Sequence, residues 1–344
     1  MKNVFIVSND KFFLNKKNIY NSNKNTFTIV NCFNKFKKIY LIARESKKKL
    51  IFKDKIRNIK LIKFWNIFNN LKKINNSKIL VISLTPYNFF TSLILILLGI
   101  NKKNFFLFLR SDGFKEYKVK FGKIGFLIYG FMFFILKKNT TILTCSRSLT
   151  LVTNPKLIYP SEIDSNWLIN KNKKKNFKKN KKIKLLYAGR FREEKGYTSL
   201  INIYEKLDIN SSLTMIGNDY KYFKKKNYPK NKDIKIFSQV SNLKNLINYY
   251  DECDIFILPS YAEAYPQVIL ESLSRLKPII IFNEIKFLKK TFPYGLFNCD
   301  RSPESLTENI LKIKKNYNKI QFLISKNKVF TLENFIKDLN KIFK

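Results

Sequence analysis

Ten short apolar runs divide this chain into two sets of five. The first set is VFIV at 4–7, IYLI at 39–42, ILVISL at 79–84, FFLFL at 105–109 and TILTC at 141–145. The second is IKLLYA at 183–188, LTMIG at 213–217, IKIF at 234–237, DIFIL at 254–258 and PIIIF at 278–282. Continuous apolar runs of this length, separated by amphipathic stretches, predict parallel strands buried on both faces. The repetition predicts two doubly wound α/β domains in tandem, with binding loops at their strand ends and a ligand between them. A chain of 344 residues is long enough for two such cores. The stretch Trp167–Lys182, WLINKNKKKNFKKNKK, is dense in like charge and lacks apolar periodicity, which marks a solvated linker. The expected division is therefore 1–166, a basic linker at 167–182, and 183–329. A helix over 330–344 is expected to pack back on the first domain.

Composition narrows the chemistry. Apolar residues make up 45% of the chain, too many for a disordered one. With 67 basic and 24 acidic residues, the formal charge of +43 invites a nucleic-acid reading. That alternative predicts salt-dependent binding to RNA or DNA, indifferent to any single glutamate. Yet the basic excess is nearly all lysine. Arginine occurs only at 44, 57, 110, 147, 190, 192, 275 and 301, so each arginine is the more informative residue. No specific nucleic-acid partner is expected. Histidine is absent, which removes imidazole bases, catalytic triads and zincin motifs together. Cys32, Cys145, Cys253 and Cys299 are widely spaced and read as core thiols in a reducing cytoplasm. Without CxxC spacing these cysteines do not suggest a metal site.

The first ten residues read as a strand rather than a signal peptide, since their apolar run is too short. The apolar stretches Phe89–Ile100 and Ile124–Leu136 fall short of the roughly 20 residues that span a bilayer. No transmembrane helix is expected, and packing inside a soluble domain is the simpler role for both. Even so, KVKFGK ahead of the second stretch suits the anionic headgroups of a membrane surface.

Two stretches carry the candidate chemistry. In LLYAGRFREEKGYTSL, a strand runs through a loop bracketed by Gly189 and Gly196 into a helix. Arg190 and Lys195 stand where free backbone N–H groups and the helix dipole reinforce positive charge, which suits a diphosphate. In PSYAEAYPQVILE, Pro259–Glu271, the same anatomy places Glu263 in the loop and Glu271 early in the helix. Carboxylates accept paired hydrogen bonds from vicinal hydroxyls of a sugar or ribose. Taken singly, a basic turn facing water and a glutamate near a helix start explain each stretch as well. A third strand-end loop, LRSDG, offers Arg110, Ser111 and Asp112 on the acceptor side, although Asp112-Gly113 is also a good turn.

The pair G-R-x4-K-G at 189–196 and P-S-x2-E-x-Y-P-Q-V-x2-E at 259–271 resembles the carboxy-terminal domain of glycosyltransferase family 4. MIGND at 215–219 and YYDECDIFILPS at 249–260 fit as well, so the resemblance is close over about 183–285. It implies the GT-B fold and a retaining, metal-independent transfer of sugar from a nucleotide sugar to a glycan or lipid-linked acceptor. The envelope polysaccharide or lipopolysaccharide is the expected product, made at the inner face of the cytoplasmic membrane. By that resemblance Arg190 and Lys195 hold the diphosphate, Glu271 the ribose and Glu263 the transferred sugar. Gly189, Gly196, Gly217, Tyr265 and Gln267 then form the rest of the donor site. The Gly-Gly loop common after the first strand is missing from SNDKFFLNKKN, and LRSDG stands where relatives carry a histidine. A scaffold of the same fold that binds glycan without turnover is the remaining alternative.

Overall fold

A computed structural model describes residues 3–15, 18–21, 23–50, 52–54, 58–146, 152, 154–169, 182–218, 229 and 231–343. The chain forms two compact units, Met1–Glu162 with Leu332–Lys344, and Ile163–Thr331.

In the first unit the central strand is β1 (Asn3–Asn15), paired in parallel with β3 (Lys38–Glu45) and β6 (Lys78–Ile82). Beyond β6 come β7 (Phe105–Leu109), β8 (Thr141–Thr144) and β9 (Lys156–Leu157); beyond β3 comes β5 (Ile59–Ile62). The short strands β2 (Asn18–Asn21) and β4 (Phe52–Asp54) add antiparallel pairs beside the later part of β1. All five residues of β7 are buried, as a strand covered on both faces requires.

The second unit has six parallel strands in the order β12-β11-β10-β13-β14-β15. They are β10 (Ile183–Ala188), β11 (Ser211–Gly217), β12 (Ile234–Ser238), β13 (Ile255–Leu258), β14 (Ile279–Phe282) and β15 (Leu296–Cys299). The order reverses between β10 and β13. That point is where an open α/β sheet leaves a crevice at its carboxyl edge, because successive helices cross to opposite faces. All ten runs read from the sequence are strands. Those it missed, among them β2, β5, β9 and β15, are short, half-exposed or at an edge, so their apolar pattern is weak.

The helix Leu332–Phe343 buries Phe335, Leu339 and Phe343, four residues apart, in the core of the first unit. Phe343 meets Phe33 and Phe106 with ring centroids 5.0 and 4.9 Å apart. Lys78 donates to the carbonyl of Ile342 at 2.8 Å, where the orphan carbonyls of a helix end favour a cation.

The units divide after Glu162, ahead of the basic stretch that the sequence suggests as a linker. Trp167, the first residue of that stretch, is fully buried in the second unit, edge-on to Tyr250 at 5.4 Å. A single large apolar side chain thus places the start of that stretch in the core. Residues 170–181 of the stretch lie outside the described residues. The four cysteines are buried free thiols, and burial pushes the Cys32 thiol up to about 12.

Candidate functional site

The loops that follow β10 and β13 lie side by side, because those strands flank the reversal of sheet order. Gly196 makes the contact possible. It sits at φ 67°, ψ 17°, and a Cβ there would lie 2.0 Å from the carbonyl oxygen of Pro259. The Tyr261 N–H donates to the carbonyl of Glu194 at 3.1 Å and locks the two loops together. Gly217 does the same at the end of β11, where a Cβ would fall 1.8 Å from the carbonyl oxygen of Gly189.

That approach brings Lys195 and Glu263 together across 68 positions of sequence. Lys195 Nζ donates to Glu263 Oε1 at 2.7 Å, and the two side chains are only 15% and 11% exposed. The hydroxyl of Ser260 donates to the same oxygen, also at 2.7 Å. Neither bond engages Glu263 Oε2. Arg190 stands exposed at the start of the first loop, with its carbonyl accepting from the hydroxyl of buried Tyr187 at 2.8 Å. Burial holds the Tyr187 phenol well above its usual range, so it stays a donor and fixes the loop.

Pro266 immediately precedes the helix Gln267–Ser274, so Gln267 is its first residue and the early N–H groups lack intrahelical acceptors. Tyr265 is buried with its ring 5.4 Å from Phe292. Glu271, in the fifth position of this helix, is 7% exposed and accepts from the Tyr250 hydroxyl at 2.6 Å. Burial, then the Glu271 charge, pushes the Tyr250 phenol well up, which keeps its proton available to the carboxylate. Glu263 and Glu271 therefore have separate partners, one cationic and one phenolic.

Arg301, just beyond β15, has no role in the sequence reading. Its guanidinium donates to the Pro259 carbonyl at 2.8 Å, to Ser199 Oγ at 3.2 Å and to Glu284 at 2.6 Å. It also stacks over the rings of Tyr261 and Phe282, 3.7 and 4.7 Å from their centroids. One planar fork thereby ties the segments after β10, β13 and β14. Its scarcity as one of eight arginines was the available signal.

In the first unit, Arg110 follows β7 and donates to Ser83 Oγ at 3.3 Å. Ser83 itself holds φ 67°, a left-handed conformation secured by Asn88, whose amide donates to the carbonyls of Ile82 and Ser83 at 2.7 and 2.9 Å. Ser111 is half-buried. Asp112 caps the helix Gly113–Asn139, accepting from the Lys115 N–H at 3.1 Å with Lys115 Nζ 3.7 Å away. It is spoken for as a cap rather than paired with Arg110. Among the described residues no three His, Cys, Asp or Glu side chains converge in a metal-holding group.

Residues 169–329 match the family model described as Glycosyl transferases group 1. An uncharacterized glycosyltransferase of Haemophilus influenzae is 28% identical over 160 residues, which are 43% of this chain and 45% of that protein. The match thus covers less than half of that relative's length. Among solved structures, HepE from Anabaena in complex with UDP-glucose shares 10% identity at a TM-score of 0.68, covering 99% of both chains. WaaG, a glycosyltransferase involved in lipopolysaccharide biosynthesis, shares 13% identity at a TM-score of 0.67, also over 99% of both. At such identities the likeness speaks for the fold alone, which is GT-B.

Proposed function

From the match of residues 169–329 to the group 1 glycosyltransferases, we propose that this chain moves a hexose-type sugar from a nucleoside-diphosphate sugar to a hydroxyl of a glycan or lipid-linked acceptor, with retention at the anomeric carbon. The observation that carries the reading is the Lys195–Glu263 pair beside exposed Arg190, set at the sheet reversal of the second unit. As the bond between the anomeric carbon and the diphosphate oxygen breaks, negative charge gathers on the leaving group. Arg190 and Lys195 stabilise it, and Lys195 is already held in place by Glu263, so little reorganisation is needed. Glu263 Oε2 accepts from a hydroxyl of the sugar. Glu271, fixed by Tyr250, is assigned the ribose.

The acceptor hydroxyl attacks from the face that the diphosphate leaves, and its proton passes to a phosphate oxygen. No protein base is required, in keeping with a chain that has no histidine. The UDP-glucose bound to HepE supports a nucleoside-diphosphate hexose as donor, with uridine the first base to try. The involvement of WaaG in lipopolysaccharide biosynthesis supports an envelope glycan as product.

A thermal-shift screen over uridine, guanosine, adenosine and cytidine diphosphate sugars tests the donor, because a ligand that binds the native state raises the midpoint by mass action. One of them is expected to stabilise the protein, and transfer to a glycan acceptor is expected to give the donor's anomer by NMR. Stabilisation without transfer to any glycan or lipid-linked acceptor would favour the scaffold reading, and no stabilisation by any donor would sink the proposal.

A further inference from the structure

The helix Gly113–Asn139 buries Tyr129, Met132, Phe133 and Leu136 in the core of the first unit, a stripe at helical spacing. A helix with one face in a core ordinarily turns a polar face to water. Here Ile124, Leu127, Ile128, Phe131 and Phe134 face outward, between 47 and 68% exposed. No charged residue stands between Lys123 and Lys137. The neighbouring helix Pro86–Leu97, in ring contact through Phe89 and Phe131 at 6.1 Å, also exposes Phe90 and Leu97. Single exposed leucines are ordinary, but a contiguous apolar face marks a place where something binds.

Charge indicates the occupant. Lys118, Lys120 and Lys123 are exposed at one end of the apolar face and Lys138 at the other, where its Nζ lies 4.3 Å from the Phe134 ring. Glu116 is the one acid in the helix. Apolar side chains rimmed by cations complement a leaflet whose acyl chains lie beneath anionic phosphates. We propose that this face is a membrane-inserting surface, seated in the interface of an anionic phospholipid bilayer with its lysines at headgroup level.

The helix lies on the bilayer and does not cross it. Its 27 residues, with a most apolar 18-residue stretch of mean hydropathy 1.7, are enough for a span by length and composition. Gly122, however, breaks the helix at φ 62°, ψ −149°. The arm from Lys123 to Asn139 rises only about 25 Å at ~1.5 Å per residue, short of a hydrocarbon core of about 30 Å. Its inner stripe is also sealed against the sheet, so lipid cannot surround it. The sequence suggested docking through lysines; the exposed face adds an apolar anchor that salt does not screen.

The test is flotation of the full chain with vesicles of phosphatidylglycerol and phosphatidylethanolamine in equal parts, and with phosphatidylcholine vesicles, at low salt and at ~1 M salt, where the Debye length is about 3 Å. The wild type is expected to bind the anionic vesicles and to keep binding at high salt within about twofold. The variant Leu127→Gln/Phe131→Gln/Phe134→Gln should bind at low salt and fall at least about tenfold at high salt. Lys118→Gln/Lys120→Gln/Lys123→Gln should bind more weakly at low salt and lose little more when salt is added. Complete release of the wild type by salt, or a triple glutamine variant of the apolar face that floats like wild type, overturns the proposal. Against a folding artefact, Phe131→Trp reports insertion directly: its emission should shift to the blue and be quenched by brominated acyl chains, and an unquenched tryptophan overturns it as well. Sedimentation without vesicles must show no dimer that Phe131→Gln dissolves, since that result would assign the face to a second copy of the chain.

Discussion

The largely buried Lys195–Glu263 pair is one in which each partner is costly to lose. Removing Lys195 withdraws a positive charge from the leaving diphosphate and leaves Glu263 with Ser260 alone in a mostly buried setting. Arg190→Ala and Lys195→Ala are each expected to cut single-turnover rates by roughly 10²–10³, the scale for one preorganised electrostatic donor. Arg190→Lys should also be impaired, because an ammonium cannot reproduce the guanidinium fork. Wild-type rates in both alanine variants would remove the pair from the mechanism. The two glutamates should separate by calorimetry. Glu271→Ala should weaken binding of free nucleoside diphosphate and, by stranding the Tyr250 hydroxyl, lower stability by about 1–3 kcal/mol. Glu263→Ala should spare the diphosphate and lose the added affinity of the sugar. Equal losses for both ligands in both variants would refute the division.

At the scale of elements, the site depends on two loops approaching closely enough for their side chains to meet. Gly196→Ala introduces a Cβ 2.0 Å from a backbone oxygen, at a φ of 67° that alanine adopts at a cost of about 1–2 kcal/mol. The clash adds to that strain and must part the loops. The expected outcome is a destabilisation larger than the strain alone, together with loss of the thermal shift produced by donor. A variant as stable as wild type and equally responsive to donor would mean that the loops are not held by this contact. Such elements were partly legible. PSYAEAYPQVILE reads as loop then helix because Pro266 and the apolar spacing that follows are local signals. That Arg301 would gather three of these segments was not legible, since its partners lie 17 to 102 positions away.

For the whole molecule, the last helix is the clearest dependence. Removing Leu332–Lys344 uncovers the surface that Phe335, Leu339 and Phe343 fill in the first unit. At about 1.5–3 kcal/mol for each buried side chain, the loss rivals the 5–15 kcal/mol that holds a typical domain together. The truncated protein should fail to give a cooperative transition for that unit or should aggregate. An unchanged unfolding profile would show that the helix is dispensable.

By itself the sequence determined the strands buried on both faces, the two-set repetition, and the residue types at the two donor-side loops. These follow from period, length and turn chemistry, which act over a few neighbouring residues. Only the tertiary structure decided that Glu263 meets Lys195 while Glu271 meets Tyr250, and that Trp167 belongs to the second core. It alone also decided that the apolar face from Ile124 to Phe134 is left uncovered. Hydrophobic patterning says which side chains avoid water, but whether anything covers them depends on packing between segments far apart in the chain, which no local pattern records.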